Sequence, residues 1–64
     1  MEWGRYLTDF EVGQRVQLHP VTSRWMMGDR YATVEQIGRA YIHVRFEVSG
    51  EAGAYSPYEL RVVG

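Results

Sequence analysis

Sixty-four residues, a formal net charge of −1 and no cysteine describe one small domain that a core, and not a covalent staple, must hold together. Without cysteine there is no disulfide and no thiolate site for zinc, and without a basic surplus there is no global pull towards phosphate. The composition is 45% hydrophobic with nine aromatics, which is material for a compact core, although a chain this short buries only about 60% of the surface its unfolded form exposes.

Residues 1–9 read as an N-terminal arm. Trp3, Tyr6 and Leu7 stand at i, i+3 and i+4, the spacing of one amphipathic turn, with Gly4 and Thr8 working against a longer helix. The arm is expected to lie over one end of the domain and close the core. Residues 10–64 form the body of the domain.

The first strand is predicted from Gln14 to His19, with Val16 and Leu18 inward and Arg15 and Gln17 outward. Pro20 has no N–H for a ladder and ends it. Residues 20–28 form the longest loop. The second strand, Arg30 to Ile37, turns Ala32 and Val34 inward, and Gly38 marks a hairpin turn. The third, Tyr41 to Val48, alternates most regularly: Ile42, Val44 and Phe46 point in, while Tyr41, His43, Arg45 and Glu47 point out.

Matching these faces requires Val34 opposite Val44, because a slip of one residue would expose the whole apolar set. That register sets Thr33 against Arg45, Glu35 against His43 and Tyr31 against Glu47 on the outer face. A short fourth strand is expected near Ala54-Tyr55. Ser56-Pro57-Tyr58-Glu59 reads as a single 3₁₀ turn, with Pro57 where no N–H is needed, and Leu60 to Val63 closes the sheet. The predicted core is Val16, Leu18, Ala32, Val34, Ile42, Val44, Phe46, Leu60 and Val62.

Strand, long loop, hairpin, strand, 3₁₀ turn and final strand is an order that resembles the SH3-like barrel superfamily, including its KOW and Tudor-type modules. The residues that carry the resemblance are Val12-Gly13-Gln14-Arg15-Val16, the stretch from Gly28 to Ile37, and Pro57-Tyr58-Glu59-Leu60-Arg61-Val62. KOW modules carry a further glycine in the second strand where this chain has Ala32. The first half also resembles the SH3-like domain of the nitrile hydratase β subunit, through the His19-Pro20 loop that follows a glycine-and-valine strand. The segment Trp25 to Tyr31 is similar to one in small actinobacterial phage proteins. The resemblance implies an all-β, five-stranded SH3-like barrel with a short arm and one 3₁₀ turn before the last strand. It names no activity, since one such fold carries many functions.

All seven basic residues are arginine, as the codon bias of a GC-rich genome would produce. No segment approaches the roughly 18 apolar residues of a membrane span, and Met1 to Leu7 lacks the layout of a signal peptide. A cytoplasmic protein is the expectation.

The residue types exclude most chemistry. His19 and His43 lie 24 positions apart with no cysteine, so no standard metal spacing exists and no metal or cofactor is expected. Ser23, Asp29 and His43 supply the types of a hydrolytic triad without a nucleophile turn or an oxyanion site. No catalytic residue is assigned. Function is therefore expected on loops and outer faces.

Two surfaces qualify. The first is Arg24, Trp25, Met26 and Met27 with Tyr55 and Tyr58. These large apolar residues either fold back over the core or form a site for a protein partner or a second copy, since Trp, Met and Arg are enriched at interface cores. The second surface is the outer face of the strand two–three hairpin: Arg30, Tyr31, Arg39, Tyr41, His43 and Arg45. The stretch from Gln14 to Phe46 holds five arginines against two acids. Outward aromatics among them would suit single-stranded nucleic acid better than duplex. The leading expectation is a small non-enzymatic protein-interaction module, with nucleic-acid binding as the alternative.

Overall fold

The computed structural model describes residues 2–63. Its strands are β1 (Arg15–Leu18), β2 (Tyr31–Ile37), β3 (Ile42–Phe46), β4 (Ala52–Tyr55) and β5 (Leu60–Val62). They form one antiparallel five-stranded sheet in the order β4-β3-β2-β1-β5. The protein is all-β, and β4 and β5 are the edges of the sheet.

Alternation creates the core. Along β3 the burial runs strictly inward and outward, with Ile42, Val44 and Phe46 in and His43 and Arg45 out. Val16 and Leu18 from β1, Ala32 and Val34 from β2, and Leu60 from β5 meet them in one buried cluster. Burying a side chain of this size is worth about 1.5–3 kcal/mol, so a single polar substitution here removes a large share of a small domain's margin. Two core positions differ from the sequence expectation. Val62 is only half-buried, because it stands on the last strand at the sheet edge, and Phe10 takes a place in the cluster that alternation did not give it.

The arm explains Phe10. Leu7–Asp9 forms a short 3₁₀ turn, and the Asp9 carboxylate accepts the N–H groups of Arg5 and Tyr6, each at 2.8 Å. Those bonds hold the Asp9 carboxyl below its ordinary pKa, the Arg5 N–H foremost. Gly4 donates its N–H to the Leu60 carbonyl at 2.9 Å, which lays the arm along β5. A side chain at Gly4 would stand 2.5 Å from the Phe10 ring and 2.7 Å from the Pro57 carbonyl oxygen. The absence of a β-carbon there lets the arm close over Phe10.

The β2–β3 hairpin has the expected register over most of its length: Val34 faces Val44 and Thr33 faces Arg45. Glu47 donates its N–H to the Tyr31 carbonyl, as the same alignment requires. The pairing shifts between Val34 and Gln36, so His43 faces Gln36 and not Glu35. A bulged residue leaves the ladder and re-aims its side chain, and Glu35 instead binds the Arg45 guanidinium at 2.8 Å. The expected Glu35–His43 pair is thereby overturned. Pro57–Glu59 forms the predicted 3₁₀ turn, which Glu59 closes by accepting the Ser56 N–H.

Candidate functional site

The loop between β1 and β2 is not structureless. Thr22 is buried and bonds the His19 carbonyl through its hydroxyl at 2.8 Å, which turns the chain into one helical turn, α1 (Ser23–Met26). Gly28 then takes φ = +95°, a conformation that favours glycine, and donates its N–H to the Trp25 carbonyl. The sequence offered no helical period here, because a single turn is shorter than the period is informative.

Arg24 fixes this turn to the domain. Its guanidinium binds the Asp29 carboxylate at 3.0 Å, meets Glu51 in a short ion pair, and lies 5.0 Å from the centroid of the buried Phe46 ring. Asp29 is 4% exposed and takes a further bond from the Ser49 N–H, so it links α1 to the β3–β4 loop. Tyr55 joins the same group, edge-on to Phe46 with ring centroids 6.0 Å apart. Burial raises the pKa of its hydroxyl, with the nearby Arg24 charge acting in the opposite sense. Arg24 and Tyr55 therefore support the loop. Asp29 accepts from both Arg24 and the Ser49 N–H.

The methionines point the other way. Met26 is 83% exposed and Met27 is 72% exposed, so of the two alternatives the methionines do not fold back over the core. Val21 is exposed on the same loop, and Trp25 is half-buried with Arg30 stacked over it at 4.5 Å. Arg30 thus contributes to the loop, not to the hairpin face. Tyr58 is exposed on the 3₁₀ turn before β5.

The hairpin face is divided. Arg45 donates to Glu35 and to the Gly50 carbonyl, each at 2.8 Å. Tyr31 is half-buried with the Arg15 guanidinium 4.3 Å from its centroid, and Arg15 is held by Glu47 at 2.7 Å. The acids at the ends of the sequence fold back on the central arginines. Arg39, Tyr41 and His43 are exposed near the hairpin turn. They stand at the far end of β2 from Arg30 and Tyr31, roughly 20 Å away at the rise of a strand.

Sequence reasoning missed a third feature. Trp3 is half-buried, packs against the His19 ring with centroids 4.5 Å apart, and receives the Arg61 guanidinium at 4.6 Å. Beside it a cavity of about 400 Å³ opens between the arm and β5, lined by Trp3, Tyr6, Phe10 and Arg61 among others. The residues that meet there come from both ends and one strand of the chain, so no local motif announces it.

Among the described residues no group of three or more His, Asp or Glu side chains could hold a metal ion. No helix among them is long and apolar enough to cross a membrane. Compared with models of protein families, with curated proteins and with solved structures, the chain matches none.

Proposed function

We propose that this chain is a small cytoplasmic protein-interaction module of the SH3-like kind, without enzymatic activity, that takes a protein partner on its β1–β2 loop. One observation carries the reading: Met26 and Met27 are exposed on a turn whose backbone is fixed from beneath by Arg24 and Asp29. Exposed apolar residues on an ordered support cost little further entropy when they are covered, and methionine fits irregular partners. The strand order and the placement of the 3₁₀ turn support the SH3-like assignment.

A pull-down from host lysate with mass spectrometry, repeated with the Met26→Ser/Met27→Ser variant, tests this. A partner held by the wild type and lost by the variant supports the loop as the site. Equal capture by both moves the site elsewhere, and no specific capture by the wild type removes the reading. The nucleic-acid alternative has weaker support, because Arg15, Arg24 and Arg45 are each bonded to carboxylates, while Arg5 stands on the arm, Arg30 stacks on Trp25, Arg39 stands near the hairpin turn and Arg61 lies over Trp3 on β5.

A further inference from the structure

We infer that the free edge of β4 is a self-association site, at which two copies pair antiparallel about a two-fold axis centred on Gly53. This goes beyond the partner site on the β1–β2 loop and does not depend on it. The two edges of the sheet are treated differently. On β5 the arm approaches and Gly4 donates to Leu60, so that edge is covered. On β4 no proline, charge or bulge interrupts Ala52-Gly53-Ala54, which is the composition of an unguarded edge.

The ladder shows which groups are free. Phe46 donates its N–H to Glu51, and alternation then turns the backbone of Gly53 and Tyr55 towards β3. The N–H and C=O of Ala52 and Ala54 consequently point away from the sheet. In an antiparallel pair with Gly53 on the axis, Ala52 of one copy stands opposite Ala54 of the other. Each such pair exchanges both of its bonds, so every outward group of both strands is satisfied. Glycine at the axis suits the close backbone approach of a non-bonded pair.

The ends of β4 favour a second copy over an unrelated strand. The hairpin tip before β4 carries Val48, 79% exposed, and the turn after it carries Tyr58, 66% exposed. Antiparallel pairing carries the Val48 tip of each copy towards the Tyr58 turn of the other, so the same apolar approach occurs twice by symmetry. A parallel pairing would set like ends together and make no such approach. A net charge of −1 leaves little repulsion between copies. The short strand sets the scale at a weak, reversible dimer.

The test is sedimentation equilibrium on the full chain up to about 1 mM, with amide shifts followed on dilution. The expected result is concentration-dependent dimerisation with shifts at the Ala52 and Ala54 amides. Ala54→Pro removes an outward N–H without touching the ladder to β3, and it should raise the dimer Kd at least about tenfold. If that variant does not fold, Ala54→Lys serves, with a charge at the same edge. Met26→Ser/Met27→Ser should leave dimerisation unchanged, which separates this site from the loop. A wild type that stays monomeric, a folded Ala54→Pro or Ala54→Lys chain that dimerises as well as the wild type, or dilution shifts away from β4 would each overturn the proposal.

Discussion

The Arg24 guanidinium stands 5.0 Å from the centroid of the Phe46 ring while it holds the nearly buried Asp29 carboxylate at 3.0 Å. One side chain thus ties the loop with the exposed methionines both to the hydrophobic core and to the β3–β4 loop. Order in that loop depends on a charge pair that burial makes sensitive to the loss of either partner.

Arg24→Ala should therefore lower the urea midpoint, since it leaves Asp29 buried without its counter-charge. Arg24→Lys should recover only part of this, because a lysine cannot reproduce the guanidinium plane over Phe46. Urea denaturation followed by circular dichroism measures both. Equal stability of Arg24→Ala and the wild type would show that the pair does not support the loop.

Met26→Ser/Met27→Ser should change stability by no more than about 0.5 kcal/mol, because neither side chain contributes to the core. Partner capture and stability are then separable in one variant. A large drop in its urea midpoint would mean the methionines are structural.

Gly4→Ala should lift the arm off Phe10, because the Pro57 carbonyl beside the new methyl group is backbone and cannot rotate away. Overpacking of this kind costs about 1–3 kcal/mol. A change in Trp3 fluorescence should accompany it, and an unchanged spectrum with unchanged stability would refute the close packing.

Acid should weaken the fold through the bonded carboxylates. The pKa of Glu47 is lowered from 4.5, chiefly by its bond to Arg15, and that of Asp9 from 3.8, chiefly by the Arg5 N–H. Groups depressed in the folded state contribute stability above their unfolded pKa and lose it as pH falls through the folded one. Stability should hold at neutral pH with respect to these groups and fall as pH drops below about 4.5. Glu47→Gln should flatten part of that fall in urea midpoints measured against pH.

Val44→Asp should leave little folded protein, since it buries an unpaired carboxylate at a fully enclosed mid-strand position. Dispersed amide resonances from this variant would contradict the assigned inner face.

The sequence by itself determined what repeats locally. Alternation in Ile42-His43-Val44-Arg45-Phe46 assigned the inner face, face-matching gave Val34 opposite Val44, and Pro57 placed the last 3₁₀ turn. The segment Arg24 to Met27 was legible as unusual, because large apolar residues in a loop need cover or a partner. Tertiary structure decided which of those residues are support and which are surface. Arg24 finds Glu51 across 27 positions, and Arg15 finds Glu47 across 32. No local pattern encodes such meetings. The bulge at Glu35 moved His43 to another neighbour, and the bare α-carbon of Gly4 admitted Phe10 to the core. A period of two is fixed by the pleat of each strand, whereas charge partners and end closures depend on how strands distant in sequence come together around a shared core.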